Sequence, residues 1–321
     1  MRLTRTLAFL IFGLCLLFAM MKSRVTQAHG SDEGTVRSGN WAINRSEERG
    51  KVSFSLMEHH HGGNSSDVSD WPTSSFAGVD FSKPGRQDVS FTITRDAGKF
   101  ECEGFLDNGE GAGVFHFTPN PNYVGEMRKL DFSVDEERQY SMAVQDVSLD
   151  FARQMRNERL GNLDADKLVA FRIHGVSASF IEELRAAGLK ISDSDKLVAF
   201  RIHGVTPEMV RSLHQAGYSP DEDMLVAMRI HGATPEWVEE LKTRGYDHVD
   251  LEQLIAFRIH GVSPEFIGKL QKLGYEHPDP EQLVAMRIHG VTPEYIADLR
   301  ARGMHDLSVD QLVRMRIHGI D

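Results

Sequence analysis

The tetrapeptide Arg-Ile-His-Gly occurs six times in the second half of the chain at nearly constant spacing. Its histidines are His174, His203, His231, His260, His289 and His318, separated by 29, 28, 29, 29 and 29 residues. A repeat of this length is one small supersecondary unit that cannot bury its own apolar face, so copies must stack into a tandem array. A stack buries its core between neighbours and presents a long surface rather than one pocket. That directs the functional question toward binding first and catalysis second.

Each unit carries start and stop signals for two short helices. The first is capped by Asp164, Asp193, Asp221, Asp250, Asp279 or Ser308, whose side-chain oxygens accept from orphan N–H groups. An acid follows two residues later (Asp166, Asp195, Asp223, Glu252, Glu281, Asp310), where the helix dipole favours it. Ser308 with Gln311 fits a capping box. The stop is Gly175 and its equivalents, the residue type that accepts a left-handed C′ position. Ser177, Thr206, Thr234, Ser263 and Thr292 then cap the second helix, and four of these are followed by proline at the first helical position. It stops at Gly188, Gly217, Gly245, Gly274 and Gly303. Helices of about ten residues are marginal alone, so packing must hold them.

The expected core is Leu168, Val169, Phe171 and Ile173 on the first helix and Phe180, Ile181 and Leu184 on the second. On a helical wheel the first helix is apolar nearly all round and is expected to be the inner one. The second, carrying Glu182, Glu183 and Arg185, is expected to face solvent. Val147, Ser148, Phe151, Met155 and Asp164 fall 29 residues before Val176, Ser177, Phe180, Leu184 and Asp193. A degenerate unit is therefore expected from about Asp135, and the final unit stops after its first helix.

Upstream, the period changes to two. Val52, Phe54 and Leu56 alternate with polar residues, as do Val89, Phe91 and Ile93, then Phe100, Cys102 and Leu106, and an apolar stretch runs from Val114 to Phe117. Such alternation predicts half-buried antiparallel strands, with Asn108-Gly109 supplying the positive φ of a tight hairpin. The expected fold is thus α+β: an N-terminal antiparallel β domain, as a sandwich or a curled sheet, followed by an α-solenoid-like array of αα-hairpins. The divisions are 1–28 as signal peptide or anchor, 29–50 as linker, 51–132 as β domain, 133–163 as degenerate capping repeat and 164–321 as helical repeats.

The histidine row sits at the last turn of the first helix, where an imidazole N–H can bond a free carbonyl; capping is the leading reading. A pH-responsive row is the alternative. A metal ladder is disfavoured, because stacked helices hold equivalent side chains 8–10 Å apart and parallel. Arg172, Arg201, Arg229, Arg258, Arg287 and Arg316 lie on an otherwise apolar helix, so each charge needs a partner. The acids in the first turns of adjacent helices are the expected partners, and a ligand-facing arginine row is the alternative.

Arg2 and Arg5, the apolar run from Leu7 to Met21 and Thr26-Gln27-Ala28 have the order of a secretory signal. Lys22 and Arg24 would also suit an uncleaved anchor formed by residues 7–21. The expectation is an exported protein, periplasmic or extracellular, touching a membrane only through such an anchor. Cys102 is the one cysteine beyond this segment and reads as a small buried hydrophobe. His59, His60 and His61 are the candidates for a transition metal, but adjacent imidazoles on an extended chain alternate in direction. Gly109, Gly111 and Gly113 precede a strand rather than a helix, which excludes a phosphate cradle. No cofactor, metal or small-molecule substrate is therefore assigned. Formal charge is −11, and residues 161–321 hold 18 Lys+Arg against 25 Asp+Glu. That balance repels nucleic acid.

Two resemblances bear on function. The segment Gly261-Val262-Ser263-Pro264-Glu265-Phe266-Ile267 superficially resembles a helix-hairpin-helix DNA-binding unit. Ser263 stands where that motif has a glycine, and Glu265 would face the phosphate. The run at 283–296, Leu-Val-Ala-Met-Arg-Ile-His-Gly-Val-Thr-Pro-Glu-Tyr-Ile, more closely resembles the uncharacterised repeats with a preceding β segment that trail BlaR1-like membrane metallopeptidases in some bacteria. That likeness covers roughly residues 40–321 and implies an envelope protein in a sensing or regulatory setting. No His-Glu-x-x-His occurs, so no protease activity carries over. The expected function is a non-enzymatic protein–protein interaction, with a protein or peptide bound through the repeats. A nucleic-acid-binding array and a pH-responsive envelope spacer are the alternatives. Because the second helix varies most between copies, Glu182, Arg211, Glu239 and Gly268 are the expected partner-facing positions.

Overall fold

Alternating sequence becomes six antiparallel strands in a computed structural model that describes residues 37–60 and 63–320, with side chains outside 59–69. The strands are β1 (Arg37–Arg45), β2 (Lys51–His60), β3 (Gly63–Pro72), β4 (Arg86–Arg95), β5 (Gly98–Asp107) and β6 (Glu110–Pro119). They form one sheet in the order β3-β2-β1-β6-β5-β4, two meanders joined by the β1–β6 pair. Asn108 (φ 52°) and Gly109 (φ 85°) make the β5–β6 turn.

One face of this sheet collects the apolar side chains, and the sheet curls around them. Phe54 of β2 lies 6.5 Å from Phe91 of β4, although β1, β6 and β5 stand between them. A flat sheet would separate those strands by about 19 Å. Phe76 fills the curl, 5.3 Å from Phe54 and 5.4 Å from Phe91. The glycines of β5 and β6 admit Trp41. A Cβ at Gly113 would lie 2.6 Å from its indole nitrogen and one at Gly104 2.7 Å from its ring. The indole N–H donates to the Glu103 carbonyl at 3.1 Å.

Fourteen short helices follow among the described residues. α1 (Tyr123–Lys129), α2 (Glu136–Val144) and α3 (Leu149–Asn157) precede the repeats. The first helices of the repeats are α4 (Ala165–His174), α6 (Ser194–His203), α8 (Glu222–His231), α10 (Leu251–His260), α12 (Pro280–Ile288) and α14 (Val309–Ile317). The second helices are α5 (Ala178–Ala186), α7 (Pro207–Gln215), α9 (Pro235–Lys242), α11 (Pro264–Lys272) and α13 (Pro293–Ala301). First helices stack on first helices and second on second, giving two columns. Among the described residues, no helix is long and apolar enough to cross a membrane.

The local signals account for the helix ends. Asp164 accepts from the Lys167 N–H, and Thr206 from Met209, as most of their equivalents do, while Asp193 accepts from Asp195. Ser308 closes its capping box with Gln311, and Asp279 forms another with Gln282. At each first stop the glycine is left-handed and the next N–H reaches back to the helix, as Val176 does to the Phe171 carbonyl at 2.8 Å. Val176 and Phe171 are both buried, so the hydrogen bond and the apolar contact of the Schellman motif coincide.

Three expectations need correction. Part of the presumed linker, Arg37–Arg45, is a strand inside the sheet with Trp41 and Ile43 fully buried. Residues 123–129, grouped above with the β domain, form α1, which stacks on α3 in the second-helix column. The first helix is also not an inner helix. Leu168 and Phe171 are buried, but Ile173 is 56% exposed, so both columns bury one face against each other and open the other to solvent. Asp135 caps α2, accepting from the Arg138 N–H. α2 packs on β5 and β6, where Gln139 donates to the carbonyls of Ala97 and Asn120 at 2.8 Å.

Candidate functional site

Five arginines of the ladder fasten their unit to the one before it, through backbone rather than acids. Arg201 Nε donates to the His174 carbonyl at 3.0 Å, Arg229 to His203 at 3.0 Å, Arg258 to His231 at 3.1 Å and Arg287 to His260 at 3.3 Å. Arg172 makes the same bond to the Gln145 carbonyl of the capping unit at 3.0 Å. These carbonyls are the orphan acceptors of a helix C-terminus, where the dipole also favours a cation. The guanidinium lies over the aromatic slot of the preceding second helix, 4.9 Å from Phe180 for Arg201 and 5.2 Å from Trp237 for Arg258. The expected arginine–acid pairs therefore give way to this geometry, although Arg172 also meets an acid, Asp146 at 3.5 Å.

The stop glycine belongs to the same joint. A Cβ at Gly232 would lie 2.7 Å from Arg258 Nη2, and one at Gly175 2.9 Å from Arg201 Nη2. Glycine thus serves twice, for its positive φ and for the passage of the next arginine. The expected role of the histidine ring as carbonyl cap is displaced, because the carbonyl at that helix end already accepts from the arginine. His174, His203, His231 and His260 instead contribute a backbone oxygen, while His289 and His318 occupy the C-cap position of α12 and α14. Arg316 lies over Tyr295 at 4.7 Å.

The second column repeats the device. Arg156 donates to the Leu130 carbonyl at 2.8 Å, Arg185 to Glu158 at 2.8 Å and Lys242 to Ala216 at 2.9 Å. The first-turn acids, freed from arginine, take lysines of the preceding unit: Lys167 pairs with Asp195 and Lys196 with Asp223. In later units Gln253 meets Glu281 at 3.1 Å and Gln282 meets Asp310 at 3.2 Å.

With arginine, histidine backbone and glycine committed to stacking, the isoleucine remains. Ile173, Ile202, Ile230, Ile259, Ile288 and Ile317 are 45–56% exposed, one per unit at one helical position. On the same open face lie half-buried Val169 and Ala170 and exposed Asp166. Side chains at i, i+3, i+4 and i+7 share a face, so each of the first five first helices shows an acid, an apolar middle and an isoleucine from N- to C-terminus. Stacking turns these into parallel rows along the array. Sequence reasoning missed the row by counting Ile173 as core. The signal was available, since at 100° per residue Ile173 stands about 140° from Leu168.

Glu182, Arg211 and Glu239 are exposed on the second-helix column, and Gly268 is buried beside Arg244. Arg211 pairs with Glu208, and Glu239 with Lys242, each within its own helix. His59, His60 and His61 and the segment 1–28 lie outside the side chains described. Among the described residues no cluster of three or more metal-ligating side chains forms. Compared with known proteins, the chain matches no family model and no curated protein.

Proposed function

We propose that this is an exported, non-enzymatic interaction protein that binds a protein or peptide partner through its helical repeats. The observation that carries the reading is the isoleucine row. Soluble monomers rarely leave contiguous apolar patches larger than a few hundred Å² exposed, and such patches mark interaction sites. Here a β-branched apolar residue recurs half-exposed in all six units. Arg2, Arg5 and the run Leu7–Met21 support export. The resemblance to the repeats that trail BlaR1-like membrane metallopeptidases supports an envelope setting with a sensing or regulatory role.

In-cell crosslinking with mass spectrometry tests this reading. The full chain is compared with one lacking residues 193–278, a deletion that joins Ser192 to Asp279 in register. A partner crosslinked by the full chain and lost from the shortened one is the expected result. A crosslinking pattern identical in both chains would remove the reading.

A further inference from the structure

The capping unit shows what covers this face when it is covered. Its register with the repeats is fixed by three equivalences: Asp135 caps α2 as Asp164 caps α4, Arg138 pairs with Asp166 as Lys167 does with Asp195, and Arg172 bonds the Gln145 carbonyl as Arg201 bonds that of His174. Glu137, Tyr140, Ser141 and Val144 therefore stand where Asp166, Val169, Ala170 and Ile173 stand one unit later. On the capping unit the middle and C-terminal end of this face are covered, while Glu137 at its N-terminal end stays exposed. Tyr140 packs edge-on against Phe100 at 5.9 Å and Phe117 at 5.2 Å, and Val144 is buried. Arg37, at the start of β1, pairs with Glu137 at 2.8 Å and lies 5.0 Å over the Tyr140 ring.

The open units offer the same chemistry without a cover. Ala170, Ala199, Ala227, Ala256 and Ala285 form a low strip between the isoleucine row and the acid row, and Arg314 replaces alanine in the sixth unit. Five units at 8–10 Å spacing give a strip of about 36 Å, the length of about eleven residues in extended conformation. Electrostatics favours its C-terminal half. Lys167 and Lys196 neutralise Asp195 and Asp223, but Met224, Gln253 and Gln282 take the lysine position next to Glu252, Glu281 and Asp310. The carboxylates there face no lysine at that position, across the alanine strip from Ile259 and Ile288.

We infer that the open face of the first-helix column docks an extended segment of a partner protein that alternates aromatic and arginine side chains, as the chain's own strands dock on the capping unit. This rests on the interaction reading above and specifies its occupant. Aromatic side chains cover the alanine strip and the isoleucines, and guanidinium groups meet Glu252, Glu281 and Asp310 in bidentate geometry.

The test uses the full chain and a fluorescent peptide of about twelve residues, in which Phe and Arg alternate between Thr residues. Fluorescence anisotropy is expected to give a dissociation constant on the order of 10 µM. Exchanging every Arg for Glu, or every Phe for Ser, weakens binding at least tenfold. The double substitution Ile259→Ser with Ile288→Ser weakens it equally while lowering the melting temperature by only a few degrees, because both side chains are about half exposed. Glu281→Lys is the second variant: it weakens the Arg peptide and strengthens the Glu peptide. Three outcomes overturn the inference: no binding of the parent peptide, binding indifferent to Phe, or binding indifferent to the isoleucines. Sedimentation showing a dimer that the isoleucine variants dissolve also overturns it, since a second copy would then be the occupant. A repeat-dependent crosslinked partner that the isoleucine variants still capture leaves the interaction reading standing and removes this one alone.

Discussion

Arg258 and Gly232 form one joint although they belong to different units. Arg258→Met removes the bond to the His231 carbonyl and is expected to cost about 1 kcal/mol of stability. Gly232→Ala forces a side chain into φ 72° and into the path of Nη2, at an expected cost of about 2 kcal/mol. Combined, the two should cost less than their sum, because the shorter methionine side chain leaves room that the guanidinium occupied; urea denaturation of the double-mutant cycle measures that coupling. Strict additivity would show that glycine serves its φ alone. Cys102 is a simpler case. Burial pushes its thiol up to about 12, so at pH 8 a folded Cys15→Ser chain should not react with an aromatic disulfide reagent, while the same chain in guanidinium should react fully. The buried cysteine was legible from its place in the alternation Phe100, Cys102. The arginine's partner was not, because a sequence shows which charges are near in number but not which carbonyls a stack leaves open.

Helix boundaries were the most legible elements, since caps and stop glycines act within a few residues and repeat in every copy. β1 escaped because Trp41 and Ile43 are its only bulky inward residues, set among Arg, Ser, Gly and Asn. α1 escaped for a related reason: Asn122 makes no side-chain cap and Gly125 sits inside the helix. α8 carries a testable irregularity. Glu222 in its first turn has Oε1 buried without a hydrogen-bond partner, and burial, with Asp193 adding to it, raises the carboxyl above its ordinary value. A carboxyl raised in the folded state favours folding below its unfolded pKa and loses that contribution as pH rises through the folded value. Glu222→Gln should therefore raise the melting temperature at pH 7 by about 1–2 °C, with the gain disappearing near pH 4. A gain that persists at pH 4 would assign it to packing instead of charge.

For the molecule as a whole, the two-part α+β architecture followed from the change of period from two to 29. The curl of the sheet and the open isoleucine face followed only from knowing which strands and helices meet. Because contacts run between neighbouring units, stability should be close to additive over units. Deleting residues 235–263 joins Thr234 to Pro264 in register and removes α9 and α10. The shortened chain should fold cooperatively, with circular dichroism showing helix loss in proportion and a melting point lower by a few degrees. Collapse of the β-domain signal in that variant would contradict the neighbour-only account. The joints also have a direction. The arginine joints point back toward the N-terminus, from a side chain onto a carbonyl of the unit already made. During synthesis the sheet and its capping unit emerge first. Each later unit then arrives carrying its own latch and finds the keeper in place, so the array can close like a zip as fast as the ribosome feeds it.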